Sequence, residues 1–242
     1  MELKNMLYRR KSFRSYMGEK ETAQTLAQID QFVKDAQRLY PECRLEWQMI
    51  GPESIKCIQK WRSPHIIAIY AERNTQSLVN LGFVFQQVDL YLQSTGLGSC
   101  WLGLGKLSND KGEEIRTGDG LECVMMIAFG KSAESLRNGK EDFNRKPMAE
   151  IADVADEKLE PARFAPSAVN SQPWYFVHGE DAIHVYCMER FFRKPFLGDM
   201  NKMDVGIALA HLFEANRETF RFFTAEDAPA LKGNLYIGSF TL

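Results

Sequence analysis

The sequence has little sulfur to pair and little histidine. Its five cysteines, Cys43, Cys57, Cys100, Cys123 and Cys187, are odd in number and widely spaced. That pattern argues against a disulfide framework and for reduced thiols in a cytoplasmic protein. The four histidines, His65, His178, His184 and His211, lack metal-ligand spacing with one another or with cysteine. No run of about 18 uncharged apolar residues exists, so no transmembrane helix is expected. The early cations Lys4, Arg9, Arg10, Lys11 and Arg14 precede no apolar core, so a secretory signal is not expected either. Charge of one sign is also missing. A formal net charge of −2 gives no reason to expect nucleic acid or a membrane surface as partner. A Gly-x-Ser-x-Gly elbow is absent too.

What is present suffices for a folded core: 242 residues, 45% hydrophobic and 26% charged. Thr22 is a candidate N-cap for a helix over Glu21 to Leu39. Leu45 to Ile50 and Ile66 to Tyr70 read as strands, the second buried on both faces. Leu78, Leu81, Val84, Phe85, Val88 and Leu92 stripe a helix over 78–95, and Gly96 is its C-terminal cap. Val124 to Gly130 reads as a central strand. Trp174 to His178 and Ala182 to Tyr186 flank Gly179-Glu180-Asp181, a hairpin signal. A second apolar helix is expected from Asp204 to Asn216, and a last strand from Asn234 to Phe240.

Three stretches carry candidate chemistry. Met6 to Tyr16 packs Arg9, Arg10, Lys11 and Arg14 around Ser12. Guanidinium groups and a hydroxyl suit a phosphate, although a solvated basic segment is the plainer account. Gly96 to Lys106 places four glycines close together, which suggests backbone near a ligand. It is no Rossmann fingerprint, because Trp101 stands where glycine is needed. It is no P-loop either, because Cys100 does. Cys100 itself reads as a packed thiol. The third stretch is Leu159 to Phe176. Pro166 ends an apolar run, Ser167, Ala168 and Ser171 are small, and Asn170 and Gln172 offer amide donors and acceptors. Such a lining suits the edge of a flat heteroaromatic ring. A loop whose amides merely cap backbone groups accounts for the same residues.

These stretches also carry a resemblance. Ala165-Pro166-Ser167-Ala168-Val169-Asn170-Ser171-Gln172-Pro173-Trp174 resembles the Pro-Ser-x-x-Asn-x-Gln-Pro-Trp signature of FMN-dependent nitroreductases. Arg9, Arg10, Ser12 and Arg14 resemble that family's Arg-Arg-Ser-x-Arg opening, and Gly96 to Gly103 its Gly-Leu-Gly-Ser-Cys-Trp-Leu-Gly segment. The resemblance implies an α+β fold with a mixed sheet flanked by helices, and FMN as cofactor. It implies that Arg9, Arg10, Ser12 and Arg14 hold the phosphate and that Arg145 and Lys146 return to it. A surface linker is the other account of that basic pair. By the same resemblance Gly103 and Leu104 pass the flavin N5. Pro166, Ser167, Asn170 and Gln172 then line the ring. It further implies NAD(P)H as reductant and a nitroaromatic or quinone as small-molecule acceptor.

The chain also rhymes with itself. Leu81 to Val88 before the strand 124–130 parallels Val205 to Leu212 before the strand 235–240. The family builds its site from two subunits, whereas here the two motifs lie at opposite ends of one chain. We therefore expect a fused pseudo-dimer, with halves 1–150 and 151–242 and one complete site, able to work as a monomer. A non-catalytic flavin-binding or storage protein, and a cofactor-less interaction module on the same fold, stay open as alternatives.

Overall fold

The computed structural model describes residues 3–57, 61, 63–108, 120–188 and 195–242. Its helices are α1 (Leu3–Met6), α2 (Ala23–Asp35), α3 (Thr75–Ser94), α4 (Glu160–Arg163) and α5 (Pro195–Ala215). Its strands are β1 (Leu45–Ile50), β2 (Ile55–Lys56), β3 (His65–Ala71), β4 (Gly98–Trp101), β5 (Lys106–Leu107), β6 (Glu122–Gly130), β7 (Trp174–His178), β8 (Ile183–Met188), β9 (Arg221–Phe223) and β10 (Asn234–Thr241). The α+β expectation holds.

The ends of the helices follow their capping chemistry. The Thr22 side chain accepts from Thr25 N, as expected. However, α2 stops at Asp35, short of Leu39, because the next backbone groups find other partners. Gln87 Oε1 accepts from Gln37 N at 3.1 Å, and Asn80 Oδ1 from Leu39 N and Tyr40 N at 3.0 and 3.2 Å. At the end of α3, Gly96 takes φ +89°; its N–H reaches Gln93 O, and Leu97 N reaches Leu92 O. This is a Schellman closure, and only glycine enters it without strain. The start of α5 lies well before Asp204. Gly198 and Asp199, poor helix formers, conceal its first turns in the sequence.

Two four-stranded sheets form, β1-β3-β6-β4 and β7-β8-β10-β9. Each is built in the same order: two strands, a long helix, two strands. All ladder pairings between the strands are antiparallel. Among the described residues, the parallel element expected of a mixed sheet is confined to the bridge Ala152–Phe176. Through that bridge, Ile151 O and Asp153 N flank Phe176, so the chain joins the second sheet from residue 151.

The two long helices lie between the sheets. One face of the first sheet packs through Ile67, Ile69, Ile127 and Phe129 on the α3 stripe. Its other face is covered by Phe13, Tyr16 and Leu102. The second sheet packs through Trp174, Phe176, Val185 and Phe240 on α5, and Val79 and Phe83 of α3 join that core. At the crossing the contact is reciprocal. A Cβ on Gly82 would lie 2.0 Å from Met203 O, and one on Gly206 would lie 2.0 Å from Val79 O. The two members of each pair, Val79 with Met203, Asn80 with Asp204 and Gly82 with Gly206, are equally spaced along the chain.

The crossing generates a prediction. Glycine to alanine in a helix interior normally stabilises by about 1 kcal/mol. Here the obstructing atoms are backbone and cannot swing away, so Gly82→Ala and Gly206→Ala should each destabilise by about 3 kcal/mol or more. Gly96→Ala meets only the cost of a left-handed residue, about 1–2 kcal/mol. Urea denaturation of the three variants measures this. A stabilised Gly82→Ala would mean that the helices do not cross here.

Candidate functional site

The turn at 167–172 is the most strained segment of described backbone. Val169, Asn170 and Gln172 all take positive φ (49°, 55° and 47°), the only non-glycine residues so found among those described. Asparagine tolerates this region, but a β-branched valine does so at a cost of about 1–2 kcal/mol. Val169 packs on little in return, being 78% exposed.

The surrounding bonds explain how the turn persists. Ser167 Oγ accepts from Gln172 N at 2.9 Å. Asp204, reaching out of α5, accepts from Ala168 N at 3.0 Å. Lys146 Nζ donates to Ser171 O and Gln172 O at 2.7 and 2.9 Å. Arg145 Nη1 donates to Asn170 Oδ1 at 2.7 Å, and Asn170 Nδ2 to Asn144 O at 3.0 Å. Gln172 is 2% exposed. Its Oε1 accepts from Lys146 N, and its Nε2 donates to Asn170 O. The basic pair and the signature amides are thus one assembly. Gln172 differs from its expected role at a ring edge: it is buried and braces the turn. Asn170 stays at the surface, and Pro166 is buried beneath.

Asp204 is enclosed, and burial pushes its carboxyl up to about 8 against the pull of the Ala168 N–H.

Arg10 also departs from a free phosphate ligand. It is 1% exposed and pairs with Asp89 at 2.9 Å, while its Nη2 donates to Lys11 O. Asp89 accepts in addition from Ser99 Oγ at 2.6 Å and from the amides of Gln86 and Gln93. Gln86 Oε1 accepts from Trp101 Nε1, and Gln86 Nε2 lies 3.2 Å from His211 Nε2. His211 Nδ1 is 3.0 Å from Pro161 O. A carbonyl only accepts, so Nδ1 carries the proton and Nε2 accepts from Gln86. Burial, helped by the Arg10 charge, lowers the His211 pKa to about 3, and the ring stays neutral. This network ties the N-terminal segment, α3, β4, α5 and α4 together. Reading the sequence for a core stripe passed over it. The signal was there: Gln86, Asp89 and Gln93 are among several polar residues on a helix that is buried nearly all round.

The remaining cations converge on the same face. Arg9 and Arg14 are exposed. The Ser12 hydroxyl lies against the Cys100 thiol, which burial pushes up to about 11, consistent with a packed thiol. Arg137 N donates to Arg9 O at 2.9 Å and its guanidinium to Arg10 O. Burial, together with the charges of Arg10 and Arg137, pushes Arg145 down to about 10.

The glycine segment meets the site through α5. A Cβ on Gly103 would lie 2.3 Å from Met200 Cε, one turn from Asp204 on the same helix face. Leu104 beside it is 66% exposed. Gly98 and Gly105 instead admit Phe13 and Met126, so their close approach serves packing.

Comparison with known proteins fits this arrangement. Residues 2–215 match the family model described as "Putative TM nitroreductase". The chain belongs to this nitroreductase family. It is therefore of the oxidoreductase class. A solved putative nitroreductase from Thermotoga maritima MSB8 has 18% identity and a TM-score of 0.66, covering 99% of this chain and 92% of its own. That likeness extends the nitroreductase-like fold over both sheets. A nitroreductase family protein from Clostridium difficile 630 matches 64% of this chain and 97% of its own, at 16% identity and TM-score 0.48. A nitroreductase with bound FMN from Desulfitobacterium hafniense DCB-2 matches 61% of this chain and all of its own, at 13% identity and TM-score 0.47. No curated protein matches the chain.

Two predictions follow from the turn. Val169→Asn should raise stability by about 1 kcal/mol, since asparagine accepts the left-handed region. A loss of stability on denaturant unfolding would show that valine is not strained there. Asp204 has a folded pKa above its unfolded value. Its contribution is therefore full below about pH 4 and lost as pH rises through about 8. Asp204→Asn keeps an acceptor for Ala168 N and cannot ionise, so it should gain stability relative to the parent between pH 4 and 8. Melting curves that run parallel across that range would contradict the buried carboxyl.

Proposed function

We propose that the chain is an FMN-dependent oxidoreductase of nitroreductase type, reduced by NAD(P)H and passing electrons to a nitroaromatic, quinone or similar small acceptor. The observation that carries this is the bonding of Asn144 to Lys146 with the strained 167–172 turn, with Arg10 near enough for its charge to lower the Arg145 pKa. Arg10 comes from a distant part of the sequence, and the strain at Val169 has no packing return.

The donor set suits FMN. Among the described residues neither Arg137 nor Arg145 has a carboxylate within ion-pair distance. Guanidinium groups crowded together with no carboxylate in direct ion-pair contact suit a phosphate dianion. Arg9, Ser12 and Arg14 would hold that phosphate, with Arg145 and Lys146 behind them. Asn170 would meet the ring edge, with Pro166 and Ser167 below it and the Gly103–Leu104 backbone near the ring centre. When bound, the flavin supplies hydride acceptance and donation. The chain's residues bind, orient and neutralise. Buried Arg10 and Gln172 position their neighbours, and no side chain is needed as a nucleophile.

We further propose that residues 1–150 and 151–242 are related halves of an internal duplication. The equal strand order of the two sheets and the reciprocal Gly82 and Gly206 contacts support it. One site per chain follows, so a monomer suffices. The described residues contain no helix long and apolar enough to cross a membrane, and all five cysteines are free. Both facts are compatible with the cytoplasmic location we propose.

Native mass spectrometry of FMN-loaded protein should give one flavin per chain. Anaerobic NADH or NADPH should bleach the flavin, and an acceptor should restore it in a separate half-reaction. Asn170→Ala should weaken FMN binding about tenfold. Two flavins per chain would remove the single-site reading. A bound flavin that neither nucleotide bleaches would remove the proposed reductant.

A further inference from the structure

The guanidinium groups at the site differ in burial and in what their donors hold. Arg145 Nε donates to Ala165 O at 3.1 Å, Nη1 to Asn144 O and Asn170 Oδ1, and Nη2 toward Phe164 O. Arg10 gives Nε to Asp89 and Nη2 to Lys11 O; its Nη1 makes no hydrogen bond among the described residues, but the side chain is enclosed at 1% exposure and offers no edge to a ligand. Both point inward and hold backbone.

Arg137 differs. It lies outside the motifs that the sequence singled out. Its Nε donates to Asp142 O at 3.2 Å and its Nη1 to Arg10 O, while its Nη2 makes no hydrogen bond among the described residues. The guanidinium carbon sits over Phe143, 4.2 Å from the ring centre. It is half-buried; its own burial and the charges of Arg10 and Arg14 lower its pKa, and the Asp142 carboxylate opposes them only in part. The backbone of Arg137 is bonded to Arg9, which is exposed and, among the described residues, pairs with no carboxylate. A half-buried guanidinium with an unbonded edge, crowded by other cations that Asp142 offsets only in part, gains when an anion arrives.

We propose that Arg137 is a direct ligand of a phosphomonoester dianion, with Arg9 and Arg14 as its partners, and that Arg145 and Arg10 are positioning residues. The proposal rests on the flavin reading above but extends beyond it, since it assigns the anion contact to a residue that no family motif marks. It also makes a distinction: a phosphate ligand discriminates FMN from riboflavin, whereas a brace does not.

The test compares Arg137→Gln, Arg137→Lys and Arg145→Gln in the full-length protein. Riboflavin and FMN affinities are measured by titration, and the melting temperature of flavin-free protein is followed against inorganic phosphate. Arg137→Gln should weaken FMN binding about 10- to 100-fold and leave riboflavin binding unchanged. It should also remove the phosphate-induced rise in melting temperature, and Arg137→Lys should restore part of both. Arg145→Gln should lower the melting temperature and weaken both flavins alike. An unchanged FMN-to-riboflavin ratio in Arg137→Gln overturns the proposal. So does an equal loss of both flavins, which would make Arg137 a brace. If the parent protein binds neither flavin, the flavin reading falls while phosphate melting still decides the anion site. A rise that needs Arg137 upholds it, and an equal rise in parent and Arg137→Gln overturns it.

Discussion

The structure depends on the closeness of two helix backbones. Where α3 crosses α5, each helix presents a glycine to a carbonyl of the other, and neither contact leaves room for a methyl group. A crossing this tight fixes both sheets at once, because each sheet packs on one of the helices and α3 contributes to both cores. It also fixes the residues beside the glycines. Asp204 lies within a turn of Gly206 and can reach Ala168 N only because α5 is held at this depth.

The site is therefore built in layers of decreasing burial. Innermost is the network of Arg10, Asp89, Gln86 and His211, in which a buried charge pair is tolerable because Asp89 is met by several donors. Around it stand Lys146, Arg145 and Gln172, whose bonds hold a turn that valine would not adopt alone. Outermost are Arg9, Arg14 and Asn170, which face solvent. Side chains that resemble ligands in the sequence thus do different work according to depth.

Much of this was legible. Apolar periodicity located the cores of both long helices and most principal strands, and the Thr22 and Gly96 caps behaved as their chemistry requires. The hairpin around Gly179 formed as read. The resemblance of three short stretches led to the right family and to residues that the fold does bring together. Depth was not legible. Nothing in Arg9-Arg10 says which arginine turns inward, since that is decided by Asp89, far away on α3. Nor could spacing tell that Gly98 admits Phe13 while Gly103 admits Met200. The start of α5 was hidden by weak helix formers, and the end of α2 by side-chain acceptors from a distant helix. Arg137 went unnoticed because a lone arginine in a polar stretch has no local signature.

Asn80 and Asp204 occupy matching places on the two crossing helices, and each accepts backbone N–H groups of the loop that leads into its own sheet. A homodimer could not make those places differ, because every residue in it occurs twice. A single chain can. The amide of Asn80 cannot ionise, so the loop through Leu39 and Tyr40 is held with the same strength at every pH, and the buried Tyr40 ring packs edge-on to Phe222. The carboxyl of Asp204 can ionise, so its loop alone answers to acid and base. Covalent continuity thereby lets one seam become a permanent joint while the other stays responsive.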